Sequence, residues 1–330
     1  MPSLIPFQGH GLLKSCALFL LAITSCNRAS KSEPTSPTPL TTDARSTRQV
    51  STEIWKEFHG ERAFEDVKNQ VACGPRPAGS AALEKARGLI VAGLQTAGWK
   101  TEPQEFTAET PHGPVRMVNL LARFPAKPGQ PPATAQKVIV ASHYDTKIFS
   151  TISFVGANDG ASSTGALLEL ARVLALAPDL ATQVELVFFD GEEAVQQFSE
   201  SDGLYGSRQY SSVLRESGRA AQFKYGILWD MIGDKDLTVT LPLDSPRELT
   251  AGLLASADAL QSRPFFRVFD RPMLDDHVPL NQIAHIPSID VIDFEYNAWH
   301  TADDTLEQLS PASLQTIGAV TLHYLSQTLR

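Results

Sequence analysis

Apolar residues recur along this chain with two periods. In "SAALEKARGLIVAGLQTAGW", Leu83, Ala86, Leu89, Ile90 and Leu94 are spaced as on one helical face, and the pattern predicts a helix ending near Gly98. The segments "VRMVNLLARF", "KVIVASHYD", "VELVFFD", "KYGILWDMIG" and "SIDVIDF" are short, apolar or alternating, and rich in Val and Ile, as sheet strands are. Between and after them, "SSTGALLELARVLALA", "LYGSRQYSSVLRE", "PRELTAGLLASADALQ" and "SPASLQTIGAVTLHYLSQTL" carry helical spacing; in the last, Ser310 is placed to cap the helix with Pro311 at its first position. Strands alternating with helices predict an α/β fold: one domain over about residues 52–330, built on a mainly parallel sheet covered by helices on both faces. Sites in such sheets form at the carboxyl ends of the strands.

The first residues break this pattern. Lys14 precedes "ALFLLAITS", too short an apolar run to span a membrane as a mature helix and suited to a signal peptide over residues 1–25. The run stops at "ITSC", which resembles a bacterial lipobox and would make Cys26 a lipidated N-terminus; an ordinary secretory signal is the alternative. Residues 26–51 are Ser/Thr/Pro-rich and lack the large apolar groups that would offset ordering entropy, so they read as a flexible tether. The expectation is an exported lipoprotein of the cell envelope, touching the membrane only through its lipid. Asn27 points to the outer membrane of a diderm cell.

Composition narrows the classes further. With 330 residues and 42% hydrophobic content the chain can bury a sizeable core, and a net charge of -9 without any Lys/Arg cluster argues against nucleic acid as partner. Of the three cysteines, Cys16 lies in the signal and Cys26 at the lipobox, so Cys73 has no internal partner and the fold rests on packing. A monomer is expected.

The polar residues that stand out fall at strand ends. "FFDGEE" sets Glu192 beside Glu193 after a buried strand, where like charges lose hydration and need a cation or a shared proton. His143 and Asp145, one residue apart, point the same way in extended chain, so the carboxylate could orient the imidazole. Asp159 in "VGANDGASSTG" would by itself serve as well for a helix cap or Asx-turn, and His300 beside Trp299 for a structural histidine. Taken together, carboxylates and an imidazole from separate strand ends make a ligand trio that zinc accepts with a fourth position open.

In this order, "SHYDT", "GANDGASSTGALLELAR", "FFDGEEA", "LYGSR", "DMIG", "DDHVPL" and "WHTADDT" resemble the zinc-dependent exopeptidase superfamily that holds the bacterial zinc aminopeptidases and the animal-type glutaminyl cyclases, over most of residues 55–328. The resemblance implies a central mixed sheet. It also implies Asp159, Glu193 and His300 as zinc ligands and Glu192 as general acid/base, with His143 and Asp230 at positions that hold a second zinc in the aminopeptidases. Three features are similar to the cyclases. The segment "AVQQFSESDGLY" intervenes after the glutamate pair and puts Phe198 where the cyclases have a pocket Trp; Asp275 precedes the shared Asp276 and His277; and Trp299 precedes the ligand His. In the cyclases the counterpart of Asp275 joins a network with the catalytic glutamate and the counterpart of Asp230. The departures are Ser142 and Thr164 in place of a cysteine pair, Leu274 in place of a Gln, and "FEYNA" in the pocket loop. The implied activity is one-zinc cyclisation of N-terminal glutaminyl residues of peptides or proteins, with release of ammonia. The rivals are a two-zinc aminopeptidase and a non-catalytic peptide-binding lipoprotein.

Overall fold

The computed structural model describes residues 53–126 and 137–329. The leader, Cys26 and the tether therefore lie outside the described residues. Two helices come first, α1 (Gly60–Val71) and α2 (Ala81–Thr96). A long hairpin of β1 (Lys100–Thr110) and β2 (Gly113–Arg123) leads to β3 (Lys137–His143), α3 (Ser163–Leu174), the short α4 (Pro178–Ala181) and β4 (Val184–Phe189). Next are α5 (Tyr205–Glu216), β5 (Phe223–Asp230), β6 (Val239–Leu241), α6 (Arg247–Ala259) and β7 (Phe266–Val268). The chain closes with α7 (His277–Gln282), β8 (Ser288–Ile292) and α8 (Pro311–Thr328).

The main sheet has six strands in the order β1-β2-β4-β3-β5-β8. Strands β4, β3, β5 and β8 run parallel and β1 and β2 antiparallel, so the sheet is mixed, as the family resemblance implied. The period of two decides which residues face which helices. Val138, Val140, Leu186, Phe188, Ile227 and Trp229 enter a large core with α1, α2, α3 and α8. Their neighbours Ile139, Ala141, Val187, Phe189 and Leu228 pack instead with Tyr210 and Leu214 of α5 and Leu280 of α7. In α2, Leu83, Ala86, Ile90 and Leu94 are buried as their spacing requires, but Leu89 sits on the outer edge of the stripe and is 37% exposed. Ser310 caps α8, its hydroxyl accepting from the Ala312 amide with Pro311 beside it.

Strand β1 escapes the hydrophobic pattern because it is an edge ribbon with no fully buried face. Its glutamates and Pro103 are the residue types that discourage an edge from pairing with another chain. The positions where the animal cyclases carry cysteines do meet: Ser142 Oγ lies 3.3 Å from Thr164 Oγ1 and donates to Ser163 Oγ at 2.7 Å. Hydrogen bonds tie β3 to α3 at this point.

Candidate active site and metal centre

Four parallel strands end on the same side of the sheet, and the polar residues follow them. His143 closes β3, the Glu192–Glu193 pair follows β4, Asp230 closes β5, and the segment after β8 returns with His300. Asp159 comes from an irregular turn over Ala157–Ser162 at the head of α3. That turn needs Gly160, whose φ is +88° and where a Cβ would stand 2.6 Å from the Asp145 carbonyl oxygen and 3.0 Å from the His143 ring.

Asp159 does not cap the helix. Its two oxygens face two histidines: Oδ2 is 3.2 Å from His300 Nε2, and Oδ1 is 3.2 Å from His143 Nε2. His300 Nε2 also lies 3.1 Å from Glu193 Oε1, so Asp159, Glu193 and His300 converge. His143 Nε2 is likewise 3.1 Å from Asp230 Oδ1, forming a second group with Asp159. Ligand atoms at tetrahedral corners around zinc stand about 3.3 Å apart, so these spacings suit a divalent ion. The buried Asp159 Oδ2 and Glu193 Oε2 make no well-formed hydrogen bond: the first only approaches His300 Nε2, and the second has Lys147 Nζ 3.7 Å away, which leaves both oxygens able to serve as ligand atoms. The donor set thus fits a metal.

The electrostatics agree. Burial, with Asp159, pushes Glu193 up to about 7 against the pull of His300. Burial alone would lower His300, but Asp159 and Glu193 raise it to about 9. Binding a cation requires both groups without their protons. Metal affinity should therefore climb up to about tenfold per pH unit between roughly pH 7 and pH 9, as His300 loses its proton, and more steeply below pH 7, where Glu193 is also protonated. Competition with a chelator across that range checks this, and a flat profile would reject it.

Glu192 stands beside the trio without belonging to it. Burial, with Glu193, Asp275 and Asp276, holds its carboxyl well above the ordinary range against the pull of His143. It lines a narrow pocket with Asp230, Asp275, Phe198, Trp299 and Leu274. The pocket is small, about 40 Å³, on the order of three water-sized volumes. The Trp299 indole stacks on the His300 ring, centroids 4.2 Å apart and planes at 25°, and is itself 39% exposed at the rim. Leu204, Met231 and His300, three of the five described non-glycine residues with positive φ, all lie at this site or its border. Strain of this kind persists where surrounding structure holds it, and it clusters at functional sites.

Asp145 faces two partners. Its Oδ1 is 3.5 Å from His143 Nδ1, which makes no hydrogen bond, while its carboxylate accepts from the amides of Glu192 at 3.1 Å and Glu193 at 3.3 Å. It thus anchors the glutamate pair and also raises the basicity of the imidazole it faces. Asp304, not singled out from the sequence beyond its place in a motif, accepts from the amides of Asn158 at 2.7 Å and Asp159 at 3.2 Å and from the Tyr296 hydroxyl at 2.8 Å. Asp202 gathers the intervening segment by accepting from the amides of Val195, Gln196 and Gln197 and from the Tyr205 hydroxyl, which sets Phe198 over the pocket.

Asp290 is a further residue of the site's surroundings, buried with no hydrogen-bond partner for either oxygen, and it faces Asp275 and His277. Burial, then Asp275 and Asp230, pushes its carboxyl far above the ordinary range. An aspartate in the middle of the apolar "SIDVIDF" was the available signal for it.

The profile of peptidase family M28 matches residues 119–325. The glutaminyl-peptide cyclotransferase-like protein of Bos taurus is 30% identical over 283 residues, covering 77% of this chain and 72% of its own length. Among solved structures, an Acidobacteriales bacterium glutaminyl cyclase superimposes with a TM-score of 0.74 at 31% identity, covering 86% of this chain and 98% of that one. A Zn-dependent exopeptidase from Parabacteroides distasonis superimposes at 0.72 with 26% identity, covering 82% and 98%. From the match over these strand ends and the likeness in sequence and structure alike, the chain belongs to peptidase family M28, in its glutaminyl-peptide cyclotransferase branch.

Proposed function

We propose that the protein converts N-terminal glutaminyl residues of peptides to pyroglutamate and releases ammonia. Asp159, Glu193 and His300 would hold one zinc ion, which when bound supplies a Lewis acid at the side-chain amide carbonyl. The α-amine of the substrate attacks that carbonyl carbon within the same residue, so the ring C–N bond forms without an activated water. Glu192 takes a proton from the attacking nitrogen and returns it to the departing nitrogen as the C–NH₂ bond breaks, leaving as ammonia. Asp275 and Asp230 flank Glu192 in the pocket and keep its proton exchangeable; Phe198 and Trp299 enclose the glutaminyl side chain. The observation that carries this reading is Glu192, outside the metal trio and in a narrow pocket with Asp230 and Asp275, its basicity raised by burial so that it can accept a proton and give it back.

The two-zinc aminopeptidase is the second reading, favoured by the group His143, Asp159 and Asp230. Against it stand the likeness to the glutaminyl-peptide cyclotransferases and the Asp275 carboxylate that shares the pocket with Glu192. Incubation of the purified protein with a Gln-initiated and a Leu-initiated peptide tests the choice. The expected result is loss of ammonia from the first, no change in the second, and one zinc per chain; freed amino acids with two zincs would reject the proposal. The export signal, lipidated Cys26 and tether over residues 1–51 belong to the same proposal and are supported by the sequence pattern.

A further inference from the structure

The active-site pocket accepts one slender side chain, and the rest of a peptide substrate must leave across its rim. On one side the rim is walled by Phe294 and Trp299, whose rings are 5.1 Å apart. On the other side stands Leu274, 49% exposed, and past it a groove of about 450 Å³ runs between the Ser199–Glu200 turn and α7. Leu274 lines both spaces, so the groove continues the pocket. Phe198 over the pocket and Ser199 in the groove are likewise adjacent in the chain. The groove's volume lies in the roughly 300–1,000 Å³ range of ligand sites. Its lining includes the buried Leu204 and the half-buried Val278 and Ile283, with Glu200 and Arg208 also on its walls.

Resting on the cyclase reading, we propose that this groove binds the peptide segment that follows the N-terminal glutaminyl residue and selects an apolar side chain at the second position. The substrate's α-amine must reach Glu192 while its side-chain amide lies in the pocket, so its carbonyl and the next residue emerge at the rim. Leu274 is the ridge they cross. A leucine at the second position buries apolar surface against Leu274 and Val278. An aspartate there would lose hydration beside Glu200 and against α7, whose residues His277–Gln282 include no Lys or Arg, while the groove's one basic side chain, Arg208, is engaged with the Ser199 carbonyl at 2.7 Å.

The test compares kcat/KM for Gln-Leu-Ala-amide and Gln-Asp-Ala-amide on the full-length protein loaded with zinc. Each rate is divided by the same enzyme's rate on glutaminamide, a substrate with no second residue. The parent is expected to favour Leu over Asp about tenfold, the scale of discrimination an apolar pocket supplies. In Val278→Thr the ratio should fall, and in Gln282→Lys, which puts a cation on an exposed position of the groove, it should fall further. Equal normalised rates for the two peptides in the parent, or ratios unmoved in both variants, would overturn the groove while leaving the cyclase reading intact. Failure to release ammonia from any of the three substrates would overturn the cyclase reading itself. Self-association abolished by Gln282→Lys, with peptide selectivity unchanged, would hand the groove to a second copy of the chain.

Discussion

A Glu192→Gln variant should keep its zinc and release ammonia from a Gln-initiated peptide roughly 10²- to 10⁴-fold more slowly, the range by which a positioned proton shuttle accelerates a reaction. The substitution preserves the shape of a buried side chain and removes only its ability to exchange a proton. Because Glu192 is outside the group formed by Asp159, Glu193 and His300, metal content should stay the same. The loss should fall on kcat, since the interaction is made while bonds to hydrogen change. An undiminished kcat would move the proton chemistry to Asp230 or Asp275, which line the same pocket.

Removing Asp159 should have a different signature. Its two oxygens face His143 and His300 separately, so Asp159→Ala deletes an acceptor from both candidate metal groups at once. Loss of a partner that only orients a ligand costs about 10- to 100-fold in metal affinity, and loss of a ligand should exceed the upper end of that range. Dialysed Asp159→Ala protein should therefore hold almost no zinc and show no cyclisation, whereas Asp304→Asn, which loosens the turn without removing a ligand, should fall within it. Elemental analysis of both variants measures the contrast. Full zinc occupancy in Asp159→Ala would reject the ligand set.

Much of this architecture could be read before any coordinates were known, because strands and helices that build a core advertise it through spacing. β3, β4, β5 and β8 and the helices around them are of this kind. β1 is not, since the ribbon has no buried face to impose a period. β6 and β7, three residues each, are too short to show one. The site divides in the same way. His143, Glu192, Glu193 and Asp230 sit at the ends of legible strands, while the assignment of Asp159 and His300 came from family likeness rather than local pattern. Asp304 supports a turn 146 positions earlier in the chain, and Asp145 acts on amides 47 and 48 positions later. Only folding brings such partners together, so a carboxylate that orders someone else's backbone leaves no local trace.

Arg76 is the extreme case of that remoteness. Its side chain is fully buried, and its guanidinium donates to the carbonyls of Val155 and Gly156 and, more distantly, Gly74 and Tyr144, while its own amide donates to the Thr146 hydroxyl. Burial brings it down to about 10, so it remains charged at neutral pH. The approach to the Asp159 turn is thus stitched to the end of β3 by a permanent cation supplied by the protein itself. The shape of that approach is therefore set by a charge the chain carries within itself, tied to backbone carbonyls on both sides of it.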